Sequence, residues 1–141
     1  MFYSMIKRLV LVMTVLSLPF VLQGCGTSDS GPVMVPIKGT VKIDGTPVPK
    51  GDIIFEPADG QGPAAAGVIS EGQFEFEAPV GMKKVMIFAS RKSVKKGRDF
   101  GEDLMESYIP TKYNTESELQ ENVDPDAENQ FQFDLQTKSS G

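Results

Sequence analysis

Few side chains in this sequence could do chemistry, and the missing ones narrow the field first. The 141-residue chain has no histidine and one cysteine, Cys25. Without histidine the usual general base at neutral pH and the commonest metal ligand are missing. Ser-His-Asp and Cys-His sites, and zinc bound by histidine or by several cysteines, are excluded. Ser93-Val94-Lys95-Lys96 fits the S-x-x-K spacing of serine–lysine acyl transfer. It stands in a basic stretch with neither S-D-N nor K-T-G after it, so it reads as a chance match. Glu75 and Glu77 could pair as acid and base, yet they alternate with Phe74 and Phe76 and read as the wet face of an amphipathic strand. Asp124, Asp126 and Glu128 alternate as calcium ligands can, but the glycine and distant glutamate of an EF-hand are lacking and Pro125 favours a turn. The expectation is no catalytic residue, no cofactor and no metal, with a weak calcium site at those three acids as the one alternative.

Charge is segregated. Lys83, Lys84, Arg91, Lys92, Lys95, Lys96 and Arg98 fall in one segment, whereas from Asp99 to Glu128 ten acids face only Lys112. Two readings compete for the basic segment. It is a patch for an anionic surface, lipid heads or envelope polysaccharide, or it is an edge strand and loop whose lysines block edge-to-edge pairing.

Cys25 follows Lys7-Arg8, the apolar run Leu9 to Leu22, and Gln23-Gly24. A basic start, a short apolar stretch and a small residue before the cut describe a secretory signal peptide over residues 1–24. The run is shorter than the roughly 20 residues a spanning helix needs, and Pro19 interrupts it. Leu22-Gln23-Gly24-Cys25 resembles the lipobox of bacterial lipoproteins, with Gln23 departing from the small residue more common there. The resemblance implies cleavage between Gly24 and Cys25 and a diacylglycerol thioether on Cys25, enough acyl chains for stable anchoring. Gly26 rather than aspartate after the cysteine implies the outer membrane. Cleavage leaves 117 residues, with 12 basic and 19 acidic side chains and a net charge of −7. Net negative charge and export argue against nucleic acid as a partner.

The remaining chain must supply the elements that position these groups. Residues 25–32, the lipidated cysteine followed by Gly26-Thr27-Ser28-Asp29-Ser30-Gly31-Pro32, have the composition of a flexible tether. Seven such residues reach at most about 25 Å. From residue 33 to 138 the pattern is β, with residues 139–141 a short tail. Val33, Val35, Ile37, Val41 and Ile43 alternate with polar residues, and Asp44-Gly45 is a strong hairpin turn. Strands are expected at Asp52–Glu56, Ala64–Ser70, Phe74–Phe76, Lys84–Ser90 and Phe131–Leu135. Phe74, Phe76, Val85, Ile87, Phe131 and Phe133 form the expected core. Gly101 to Tyr108 is the one stretch that could hold a short helix. Short strands with turns between them predict an all-β sandwich or barrel.

Val35 to Gly51, with its G-x-V…D-G-x-P-V-x-x-G spacing, and Ile54-Phe55-Glu56-Pro57 followed by Glu71-Gly72-Gln73-Phe74 resemble transthyretin-like, carboxypeptidase-regulatory-like modules. Tyr108-Ile109-Pro110-Thr111-Lys112-Tyr113-Asn114, Ser117, Leu119 and Phe131–Leu135 resemble the C-terminal half of small planctomycetal envelope lipoproteins. The resemblance implies a single seven-stranded Greek-key β-sandwich and leaves activity open. Gly39 and Gly45 suit close approach or positive φ, and Tyr113 suits a ring packed inward with its hydroxyl on backbone. Taken together, the sequence leads to the expectation of an exported, non-catalytic, membrane-anchored module with an envelope protein or polysaccharide as partner. The alternative is an accessory or carrier subunit that holds a small ligand or glycan in a cleft between end loops.

Overall fold

Alternation of apolar and polar side chains makes strands of nearly every stretch in the computed structural model, which describes residues 31–96 and 103–138. The strands are β1 (Met34–Ile43), β2 (Thr46–Pro47), β3 (Lys50–Pro57), β4 (Ala65–Ser70), β5 (Gln73–Pro79), β6 (Gly81–Phe88), β7 (Ser90–Lys96), β8 (Asp103–Ser107), β9 (Gln120–Val123) and β10 (Asn129–Leu135). A single 3-10 turn, η1 (Thr111–Tyr113), precedes β9. Gly101 to Tyr108, the stretch that could hold a short helix, holds none among its described residues. Residues 103–107 are strand β8, because they pair with β7 through Arg91↔Glu106 and Lys92↔Met105. The strand expected at Lys84–Ser90 starts earlier, at Gly81, and stops at Phe88.

Eight strands form one sheet in the order β10-β1-β5-β4-β3-β6-β9, with β2 on β1, and β7 and β8 make a separate two-stranded ribbon. All pairs are antiparallel except β1 with β10, the first and last long strands. The sheet is curled. Phe55 on β3 lies four strand spacings from β10 along the path, about 19 Å if the sheet were flat. Its ring centroid is nevertheless 5.6 Å from Phe131 and 6.4 Å from Phe133, both on β10. The fold-over happens where β4 gives way to β5, which share only the pair Ser70↔Gln73.

Inside the curl, Phe55 also meets Phe74 at 6.3 Å and Phe76 at 5.7 Å. Ile37, Val41, Ile53, Ile69, Val85 and Ile87 fill the space around these rings and are at most 1% exposed. Of the expected core, Phe74, Val85, Ile87 and Phe133 are buried, and Phe76 and Phe131 are half-buried against it. Asp44 (φ 50°) and Gly45 (φ 79°) form the tight turn between β1 and β2, both in the left-handed region that two-residue hairpins need. Gly39 is required for a different reason, since a Cβ there would overlap the Phe131 carbonyl oxygen and the Phe74 ring.

The two ends of the sheet differ. The chain enters at Met34, which pairs with Pro79, and the Val80 N–H donates to the Val33 carbonyl at 3.0 Å. Strand β6 starts at once from this end, with Gly81 opposite Val123. It runs about 25 Å to Phe88. Beyond Ala89 the chain continues as the ribbon, whose base is closed by the Tyr108 N–H donating to the Ala89 carbonyl at 3.3 Å. The chain therefore enters at one end of β6, and the ribbon leaves from the other.

Candidate functional site

Cys25, Gly24 and Arg98 lie outside the described residues. The other expected surface cations do not form one patch. On β6 the side chains of Lys83, Val85 and Ile87 point inward and are buried, while those of Lys84 and Met86 occupy the other face. Lys83 is therefore only 3% exposed and belongs to the interior, not to a surface cluster. Lys84 is half-buried, and its ammonium pairs with the Glu56 carboxylate at 3.0 Å across the β3–β6 register. Arg91 and Lys92 stand on the ribbon at the far end. The Arg91 Nε donates to Glu106 at 3.0 Å, and its guanidinium lies 5.5 Å above the Tyr108 ring. Lys92 is exposed opposite Met105, itself 63% exposed, and Leu104 beside it is 47% exposed. Lys95 and Lys96 belong to the same strand, Lys96 in register with Asp103. The described part of the basic run is thus divided, with Lys83 and Lys84 at the chain's entrance end and Arg91, Lys92, Lys95 and Lys96 on the ribbon.

The acidic candidates are engaged in turn-making. The Asp124 carboxylate accepts the Asp126 N–H at 2.9 Å, and Asn129 closes the loop by accepting the Asp124 N–H and donating to its carbonyl, each at 2.9 Å. Glu128 pairs with Lys38 at 2.6 Å. That hydrogen bond and charge hold the Glu128 carboxyl below its ordinary value and raise the Lys38 amine. Both groups are well solvated, so the pair contributes little to stability. Among the described residues no three or more histidine, cysteine or acidic side chains converge as metal ligands. Glu75 and Glu77 are exposed on the outer face of β5, and Ser93 lies on the ribbon. None of the described helical turns is long and apolar enough to cross a membrane.

Three hollows on the described surface bear on a site. The largest, about 680 Å³, is an open depression where β4 and β5 part, with Lys38, Thr40, Ser70, Gln73 and Gln130 in its walls. A second, about 350 Å³, lies between the start of β1 and the 125–129 turn. The third, about 230 Å³, sits at the end where the chain enters, between the β3–β4 loop and the β5–β6 turn. It is the smallest, but it alone is lined by a buried charge, Lys83, with Asp59 and Gln61 on the loop above. Desolvation pushes the Lys83 amine below its ordinary value, and Asp59 partly opposes that shift. Glu121, opposite Lys83 in the β6–β9 register, has its carboxyl raised by burial.

Reading the basic residues as one run concealed Lys83, although the signal was in the sequence. Lys83, Val85 and Ile87 share a parity, so a strand that buries the two hydrophobes must bury the lysine. In the polar clamp after the ribbon, Asn114 and Ser117 carried no such signal, whereas Tyr113 was expected to pack its ring inward with its hydroxyl on backbone. There the buried Asn114 amide donates to the Ile109 carbonyl at 3.2 Å, and its oxygen accepts the Thr115 N–H at 2.6 Å. The buried Ser117 hydroxyl donates to the Val85 carbonyl and accepts the Leu119 N–H. Tyr113 packs half-buried, and its hydroxyl accepts the Gln136 N–H at 3.1 Å. These groups fasten an irregular segment to β6 and to the end of β10. Comparison with family models, curated proteins and solved structures finds no match to this chain.

Proposed function

We propose that this chain is an exported envelope lipoprotein, anchored through an acylated Cys25, whose β domain is a non-catalytic binding or structural module. One observation carries the reading: Lys7-Arg8, the apolar run Leu9 to Leu22 and Leu22-Gln23-Gly24-Cys25 stand in the order that export and lipidation require. The short polar stretch from Gly26 to Pro32 gives the tether that the anchor needs. The all-β architecture, the aromatic interior and the Asp44-Gly45 hairpin support kinship with seven-stranded, Greek-key transthyretin-like modules. The absence of histidine from the sequence supports a role without acid–base catalysis.

The part of the basic segment on the ribbon, Arg91, Lys92, Lys95 and Lys96, is the surface we propose for an anionic partner, envelope polysaccharide or lipid heads. The deciding measurement is the intact mass of the protein recovered from bacterial membranes, wild type beside Cys25→Ala. A product that begins at Cys25 and carries added diacylglycerol mass upholds the reading. A product without lipid mass overturns the anchor and leaves a secreted domain.

A further inference from the structure

We propose that the cleft at the chain's entrance end binds a small zwitterion, with the ligand's anionic group on the Lys83 ammonium and its own ammonium against the Asp59 carboxylate. The inference stands on the cleft and is independent of lipidation at Cys25.

Lys83 is placed where a lysine is costly. Its parity on β6 turns it inward beside Val85, and 97% of its surface is covered if 3% remains exposed. Among the described residues nothing donates to, accepts from or forms an ion pair with its side chain. Yet no fully enclosed side-chain nitrogen or oxygen among the described residues lacks a partner. The ammonium is therefore not sealed inside the sheet; it opens on the 230 Å³ cleft that Lys83 lines. A largely buried cation that forms no ion pair, neither with Asp59 nor with Glu121 opposite it on β9, is unfavourable. An anion entering the cleft would supply what the fold leaves out.

Asp59 sets what kind of anion that can be. It is near enough to hold the Lys83 amine up against desolvation, but it makes no ion pair with it. Its Oδ1 is occupied by the Gln61 N–H at 2.9 Å, which fixes the carboxylate at the rim. A plain anion meets repulsion from Asp59, and a plain cation meets repulsion from Lys83. A molecule carrying both charges a short distance apart satisfies both. Pro57, Val80 and Met82 complete the wall and suit a short methylene link between the two groups. At one water's share of volume per heavy atom, the cleft of about 230 Å³ has room for about eight heavy atoms, which suits small amino acids and phosphoethanolamine-like compounds.

The test is an NMR titration of the full mature chain with glycine and with O-phosphoethanolamine, beside acetate and ethylamine as single-charge controls. Saturable shifts at Lys83, Asp59 and Gln61, at least tenfold tighter for a zwitterion than for either control, uphold the site. Lys83→Met should abolish them. Asp59→Asn, on an exposed loop, should keep binding but let acetate compete equally with glycine. Equal binding of glycine and acetate to wild type, no saturable shift, or an unchanged titration in a folded Lys83→Met overturns the proposal. Vesicles of phosphatidylethanolamine separate two sources of the same chemistry. Competition with O-phosphoethanolamine assigns the site to a membrane head group, and saturable binding without competition assigns it to a free solute; each upholds the site.

Discussion

Lys83 and Lys92 come from one basic run, yet β6 and β7 give them opposite surroundings. Lys83 is buried beside Val85 on the inner face of β6, with Pro57 and Glu121 in register on the neighbouring strands, and Lys92 is exposed on the separate two-stranded ribbon. The difference teaches that strand parity and distance from the curl, not the sequence cluster, decide what a cation can do. At one end the charge shapes a cleft, and at the other it decorates a surface.

The strongest way to break this contrast is to compare the two regions by unfolding. Phe133→Ala removes a ring that is 5% exposed, stacked at 6.1 Å on Phe74 and packed against Phe55. It should cost about 3–5 kcal/mol in urea denaturation. Met105→Ala on the ribbon should change stability by no more than about 0.5 kcal/mol. A loss at Met105 comparable with that at Phe133 would show that the ribbon is packed in solution, and the contrast would fail.

The polar clamp supplies the next largest effect. Asn114→Ala leaves the buried Ile109 carbonyl and the part-buried Thr115 N–H without their partner. A loss of about 1–3 kcal/mol is expected. Asn114→Asp should be destabilising as well, because a carboxylate cannot donate to the Ile109 carbonyl. A neutral result for both would mean that water replaces the amide, and the segment would belong with the ribbon and not with the core.

How much of this was legible follows from the range of the forces involved. Alternation in Phe74-Glu75-Phe76 and Phe131-Gln132-Phe133 marks strands and a buried face, because side-chain direction along a strand is local. The Asp44-Gly45 turn is likewise local. The curl is not, since it depends on Phe55 reaching Phe131 from four strands away. The ribbon was missed because Asp103 to Ser107 has no apolar alternation and is a strand only through its pairing with β7. At the candidate cleft, the inward turn of Lys83 was readable from Val85 and Ile87. The approach of Asp59 depends on a loop conformation that no periodicity encodes.

A smaller effect should sharpen the contrast at Lys83. Lys83→Met keeps an unbranched side chain, removes the buried charge, and should stabilise the fold by on the order of 1 kcal/mol. The sign with pH is fixed by the depressed amine. The folded state gives up the Lys83 proton below 10.5, the ordinary value, while the unfolded chain still holds it. Stability of the wild type should therefore rise as pH climbs through the folded value towards 10.5, and the advantage of Lys83→Met should shrink over that window. Urea midpoints of the two proteins across alkaline pH measure it. A constant difference would mean that the Lys83 amine is solvated after all, and the cleft would lose its buried cation.

The smallest effect is at the other end of the pH scale and involves a fully exposed group. Asp44 ties the first hairpin turn to the chain beyond β10: the Thr137 hydroxyl donates to one carboxylate oxygen at 2.6 Å and the Thr137 N–H to the other at 3.0 Å. The hydroxyl bond first and the backbone bond second hold the Asp44 carboxyl below its ordinary 3.8. The stabilisation is present above that value and is lost as pH falls through the lower folded value. Thr137→Val removes the hydroxyl bond and keeps the N–H. Its urea midpoint should lie slightly below wild type at about pH 7 and converge with it at about pH 2. If the gap instead persists in acid, Thr137 acts through packing and not through the Asp44 charge. The last residues of the described chain would then be held by contact alone, like the ribbon, and not by a charge that a side chain positions, as in the cleft.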